Sequence, residues 1–186
     1  AFGAMAAMFH ILNHATFKAA LFMSAGIIDH EAHTRDIRRL GGLRKLMPVT
    51  FVIATLAALS MAGIPLLNGF LSKEMMLEEA TKTALFGAPW LVPALATFGS
   101  LFSAAYCFRL IGHVFFGPVR SDYPAKPHDP PAGLWLPPAL LLLPAVAIGV
   151  APFLAEPFVK LVTAAVLGEA GEVPKAYFKI WHGLVP

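Results

Sequence analysis

His10, His14 and Lys18 recur every four residues inside the apolar stretch "FHILNHATFKAALF", residues 9–22. On an α-helix, residues four apart are separated by ~6 Å along the axis and ~40° around it. The three groups therefore form one slowly drifting polar stripe about 12 Å long. Neutral imidazole both donates and accepts hydrogen bonds and titrates near neutrality, and desolvation makes an ammonium easier to deprotonate. Two histidines and a lysine in register are the parts of a proton relay. Steps of ~6 Å are too long for direct transfer, so such a relay requires water between its members. The alternative is a helix–helix contact held by neutral histidine hydrogen bonds.

The solvent around this stripe is set by composition. The chain is 58% hydrophobic and 13% charged, with a mean hydropathy of +0.69, against roughly 25% charged residues in a soluble domain. Residues 48–72, 84–108 and 130–155 each run without Asp, Glu, Lys or Arg. Runs of about 25 residues cross a ~30 Å hydrocarbon core. The expected fold is all-α and integral to the membrane, with about four transmembrane segments, the second discontinuous, and an amphipathic C-terminal piece. Each ionised group facing lipid would cost roughly 2.5–3.5 kcal/mol on insertion scales, so the stripe should face protein or trapped water.

The first helix is expected over residues 4–28. A polar loop, "DHEAHTRDIRRLGGLRK", follows, with Gly41 and Gly42 breaking any helix there. A third hydrophobic segment covers about 90–116. The connector "GPVRSDYPAKPHDPPAG" carries too many prolines for a regular helix. The fourth span covers about 134–154, with Pro137 and Pro138 in its first turn and Pro144 as a kink. If the chain crosses four times, the first and third loops share a side and hold most of the basic residues, which makes that side cytoplasmic. The sequence divides into residues 1–155, a transmembrane unit, and 156–186, an amphipathic helix and tail. The chain opens at Ala1 already in membrane-grade sequence, with no initiator Met, basic n-region or cleavage site; a piece of a longer polypeptide is expected.

The second hydrophobic segment, residues 47–82, would be ~54 Å long as one helix, too long for one crossing. Inside it lies "AGIPLLNGF", where Gly63, Pro65 and Gly69 disfavour helix and Asn68 can satisfy freed backbone groups. A broken helix fits, with halves at about 49–61 and 70–81. Non-helical backbone is tolerated at membrane depth only where it is buried in protein or lines a cavity, and broken helices mark ion sites in transporters. Lys73 then falls in the first turn of the second half, where the helix dipole is unfavourable for an ammonium; Glu74 beside it acts the other way. The competing reading is one ordinary span over 48–72 with Lys73 snorkelling at its end.

Other polar residues carry weaker signals. Arg109 and His113 share a face with Tyr106 near the end of the third helix, and suit interfacial anchoring or a role in transport. His30, His33 and His128 fall in loops as solvated side chains, without metal-ligand spacing. Cys107 sits in an apolar run as a small buried hydrophobe, and one cysteine excludes a disulfide framework. No metal or cofactor is expected. The net charge of +3 sits mostly in one loop and does not point to nucleic acid.

"FHILNHATFKAALFMSAG", "TRDIRRLGGLRKLMP", "LSMAGIPLLNGFLSKEMML" and "AYCFRLIGHVFFGP" resemble, in order, the antiporter-like proton-translocating membrane subunits. That family includes the large subunit of respiratory complex I and the MrpA component of Mrp-type multisubunit cation/proton antiporters. "SKEMMLEEA" and "IWHGLVP" resemble the Mrp component more closely. The resemblance implies that His10 and His14 are relay histidines, Lys18 a neighbour on the polar axis, and Lys73 the proton-carrying lysine of a broken helix. It also implies that a second half-channel lies in sequence upstream of Ala1. The implied activity is proton transfer coupled to monovalent-cation export, with protons and Na⁺ as substrates, other antiporter subunits and the bilayer as partners, and the bacterial inner membrane as location. A proton-pumping subunit of a redox complex and an inert helical scaffold are the alternatives.

Overall fold

The computed structural model describes residues 2–168; the closing "IWHGLVP" lies outside the described residues. Six α-helices follow one another: α1 Phe2–Ala32, α2 Pro48–Ala62, α3 Asn68–Thr81, α4 Leu91–Phe115, α5 Ala132–Val150 and α6 Glu156–Leu167. By length and composition α1, α4 and α5 are able to cross a membrane, and α2 is a shorter apolar helix. The all-α membrane architecture expected from the sequence is the one found.

α1 runs past residue 28 to Ala32, because the Asp, His and Glu that end its apolar run still tolerate helical geometry. It stops before His33, which takes a φ of 51°. α2 opens with Pro48 at its start, where a missing N–H is harmless. Met47 ahead of it offers no capping side chain. Asp129 of the Pro-rich connector caps instead, its carboxylate accepting from the Val49 and Thr50 N–H groups at 2.8 and 2.9 Å and from the Thr50 hydroxyl at 2.9 Å.

α2 ends at Gly63 in the left-handed conformation (φ 87°), whose N–H bonds back to the Leu59 and Ser60 carbonyls. The chain passes through Leu66 at φ 73° and α3 starts at Asn68. The second hydrophobic segment is therefore two helices, with Gly63 and Pro65 in the break. Asn68 and Gly69 belong instead to the first turn of α3, and Lys73, expected in that turn, sits in the second. α5 also starts earlier than expected, at Ala132, which places Pro137 and Pro138 in its second turn rather than its first. It ends at Val150, and residues 152–154 form a separate 3₁₀ turn.

α1 is central, packed by α2, α3, α5 and α6. Phe17, Ala20 and Ile28 of α1, Ala54 and Ala57 of α2, Cys107 and Val114 of α4 and Leu142 of α5 share one buried core. A second core joins Met5 and Phe9 of α1 to Leu71 and Met75 of α3, Ile148 of α5 and Val159 of α6. In lipid, apolar burial gives little net drive for helix association, so close backbone approach and hydrogen bonds must specify the packing. Two glycines provide the approach. A Cβ on Gly69 would lie 1.8 Å from the Ser60 carbonyl oxygen, and one on Gly149 of α5 would lie 2.3 Å from the Leu66 carbonyl oxygen. Both helices press directly on the break.

The loop after α1 and the connector before α5 lie together. The Tyr123 hydroxyl donates to the Gly41 carbonyl at 2.6 Å and accepts from its N–H at 2.9 Å; burial pushes this phenol above its ordinary range. The Gly42 N–H donates to the Phe116 carbonyl at 2.9 Å. Glu31, almost wholly buried, is met by His30 and His128. His30 thus belongs to the last turn of α1 rather than to a loop, and both histidines, though exposed, have a carboxylate partner.

Candidate functional site

The stripe on α1 faces protein at both ends. His10, His14 and Lys18 are all half-buried. His10 Nδ1 lies 3.1 Å from the Ser72 hydroxyl of α3, and the His10 and His14 rings are 5.8 Å apart between centroids. Lys18 Nζ donates to the Tyr106 hydroxyl of α4 at 3.1 Å. Since the Ser72 hydroxyl donates to the Gly69 carbonyl at 3.4 Å, the assignment that satisfies both contacts has His10 donating from Nδ1. Its Nε2 is then left as the acceptor able to take a proton.

Lys73 folds back over the break. Its stem lies against Gly63, where a Cβ would come within 3.1 Å of the lysine Cδ. Its Nζ donates to the Ser103 hydroxyl of α4 at 3.4 Å, and that hydroxyl donates to the Met61 carbonyl at 3.4 Å. The Met61 sulfur accepts from the Tyr106 hydroxyl at 2.7 Å. The last turn of α2 thus joins the Lys18 arm to the Lys73 arm through two hydroxyls of α4. Lys73 and Glu74 also border a cavity of about 490 Å³ with Gly63 and Ser100, and Lys18 borders one of about 140 Å³ with Tyr106. Both have the volume for water, and in their mostly apolar walls Lys73, Glu74 and Ser100 in the first, and Lys18 and Tyr106 in the second, are groups that can hold it.

A buried polar clamp fixes the break against α1. The Asn68 side-chain amide donates to Asn13 Oδ1 at 3.1 Å and to Thr16 Oγ1 at 3.0 Å, while its Oδ1 accepts from the Ser60 hydroxyl at 2.7 Å. Asn13 Nδ2 donates to the Asn68 carbonyl at 3.1 Å. The Ser60 hydroxyl accepts the Gly69 N–H at 3.2 Å. The expectation that Asn68 itself satisfies freed backbone groups is corrected here: the Asn68 side chain ties other side chains, and the Ser60 hydroxyl takes the buried Gly69 N–H. Asn13, Ser60, Asn68 and Ser72 are all fully buried, where each unmade bond would cost roughly 1–3 kcal/mol.

His10, His14, Lys18 and Lys73 are therefore gathered around one break, with Ser72, Ser103, Tyr106 and Met61 between them. Arg109 and His113 are not part of it. His113 Nδ1 bonds to the Arg109 carbonyl one turn back at 3.0 Å, and both border a different cavity between α4 and the loops. Sequence reasoning did not find Asn13, Thr16, Ser60, Ser72 or Ser103. The available signal was small polar residues beside the stripe and the break: Asn13 next to His14, and Ser72 next to Lys73.

The family described as NADH:quinone oxidoreductase/Mrp antiporter, TM, matches residues 1–103. The chain is 48% identical over 182 residues to the A/B subunit of a probable K(+)/H(+) antiporter of Rhizobium meliloti, and 41% identical over 194 residues to the A subunit of the Na(+)/H(+) antiporter of Alkalihalophilus pseudofirmus. These matches take in 97% and 98% of this chain but 18% and 24% of the two relatives, so the chain spans about a fifth of their length. The Mrp complex from Dietzia sp. is similar in structure, with a TM-score of 0.78 and 36% identity over 98% of this chain and 19% of that one. The membrane-bound sulfane sulfur reductase, an archaeal respiratory membrane complex, is also similar, with a TM-score of 0.74 and 32% identity over 91% of this chain and 26% of the other.

Proposed function

The chain belongs to the NADH:quinone oxidoreductase/Mrp antiporter transmembrane family, and from that premise we propose that it supplies a proton-transfer half-channel to a monovalent cation/proton antiporter subunit. His10, His14 and Lys18 pass protons along α1, and Lys73 exchanges them at the break. Gly63, Pro65, Asn68, Gly69 and Glu74 give the break its shape and polarity. Residues 1–155 are assigned to the C-terminal part of an antiporter-like transmembrane domain, and α6 opens the amphipathic segment that follows it; residues 169–186 of that segment lie outside the described residues. The partners are the other subunits of a multisubunit antiporter and the bilayer of a bacterial inner membrane, with Na⁺ as the exported ion.

The observation that carries this reading is the contact of His10 with Ser72, one residue before Lys73. It brings the α1 stripe to the broken helix, where a file of titratable groups has a use and a plain helix contact does not need a lysine. In the full-length complex, Lys73→Ala should slow cation-driven proton exchange in everted vesicles by ~100-fold or more while the complex still assembles. Unchanged exchange with normal assembly would overturn the assignment.

The likeness to a respiratory membrane complex supports a second reading, in which the same relay is driven by redox chemistry. Gene neighbours separate the two: small antiporter subunits beside the gene favour exchange, and redox subunits favour pumping.

A further inference from the structure

A cavity of about 600 Å³ opens where the end of α4 meets the two loops, bordered by Phe108, Arg109, His113, Phe116, Arg120 and Arg38 among others, with no carboxylate in its lining. Four of the acids nearby are engaged elsewhere, and a fifth, Asp122, two residues from Arg120, lies outside the lining and forms no ion pair with either arginine. Asp36 forms a two-pronged pair with Arg38, and those hydrogen bonds hold its carboxyl down at about 2, so that pair stays ionised and locally neutral. Asp29 pairs with Arg35 at 2.8 Å, Glu31 meets His30 and His128, and Asp129 caps α2. Among the described residues neither Arg109 nor Arg120 has a carboxylate partner; the Arg120 guanidinium donates to the Arg38 carbonyl at 3.1 Å. The carbonyl end of α4, which would repel an anion, is partly satisfied by the Gly42 N–H on the Phe116 carbonyl.

Two unneutralised guanidiniums in a cavity call for an anion, and their depth says which kind. Arg109 lies six residues before the end of α4, ~9 Å along a helix able to span the membrane, close enough to that end for its long side chain to snorkel toward headgroups. Phe108 on the cavity's border is 55% exposed, and earlier in the same helix Leu101 and Phe102 are 63% and 62% exposed. A ligand filling both parts needs a phosphate at one end and hydrocarbon at the other. Guanidinium is the side chain best matched to phosphate, and basic pockets beside membrane helices attract anionic lipid heads.

We propose that this cavity binds the phosphodiester headgroup of an anionic phospholipid between Arg109 and Arg120, with its acyl chains along Phe108, Phe102 and Leu101. The proposal is independent of the relay. The test uses the purified full-length complex in phosphatidylcholine nanodiscs doped with photoactivatable phosphatidylglycerol or photoactivatable phosphatidylcholine, with labelled peptides read by mass spectrometry. Phosphatidylglycerol should label the peptide spanning the end of α4 and the connector in preference to phosphatidylcholine. R109Q with R120Q should lower that labelling about 25-fold, roughly fivefold for each charge, while R109K with R120K in an equally assembled complex should retain most of it. Equal labelling by the two lipids, or labelling indifferent to the glutamine pair, would overturn the proposal. So would displacement of the label by inorganic phosphate, which would mark a free-anion site, or crosslinking of this segment to a neighbouring subunit in place of lipid.

Discussion

Gly69→Ala sets intrinsic helix propensity against tertiary fit at the seam of the broken helix. In a free helix the substitution gains up to about 1 kcal/mol. Here the new Cβ would lie 1.8 Å from the Ser60 carbonyl oxygen and 3.0 Å from its hydroxyl oxygen. The carbonyl is backbone inside α2 and has no rotamer to escape into. Restoring an ordinary 3.4 Å contact means that α3 must back away by about 1.6 Å, taking the Gly69 N–H out of reach of the Ser60 hydroxyl it now meets at 3.2 Å. A stranded buried N–H costs roughly 1–3 kcal/mol and overpacking a similar ~1–3 kcal/mol. Set against the propensity gain, the net loss is roughly 1–5 kcal/mol. Gly26→Ala in α1 is the control, since nothing lies within 4 Å of its Cβ position; only the propensity gain applies there. Thermal inactivation of the detergent-purified full-length complex, followed by size-exclusion chromatography, should rank Gly26→Ala at or above the parent and Gly69→Ala well below it. A Gly69→Ala complex as stable as the parent would refute the backbone-to-backbone seam.

Two further outcomes follow from the same geometry. Asp129→Ala removes the cap of α2 and should cost roughly 0.5–2 kcal/mol, visible as faster hydrogen exchange at the Val49 and Thr50 amides with little change at α5. Ser72→Ala removes the partner that orients His10 but leaves the imidazole, so antiport should slow by less than the ~100-fold or more expected from deleting a positioned acid–base group; no change in rate would mean that Ser72 does not orient the relay.

Much of this site was legible because it is periodic. His10, His14 and Lys18 announce themselves by their spacing, and Gly63 and Pro65 by conformations a helix rejects. The clamp was not legible: Asn13 and Asn68 meet across 55 residues of chain, and no local pattern encodes that pairing. Gly69 was read as a helix breaker, whereas it lies inside a helix and matters for the side chain it lacks. Lys73 fell a turn from its expected place because α3 starts at Asn68, where Ser60 supplies the hydrogen bond that the first turn needs. Asp129 capping α2 joins a loop to a helix 79 residues away, a contact fixed only once the connector folds against the first loop.

The most direct measurement is a double-mutant cycle between His10 and Lys73 in the reconstituted full-length complex, reading initial rates of cation-driven proton exchange for His10→Gln, Lys73→Ala and the pair. Residues that serve a single proton file act as a unit and are strongly non-additive, so the double variant should be no slower than the slower single variant. Losses that multiply, or near-normal exchange from either assembled single variant, would contradict a shared path from the α1 stripe to the broken helix.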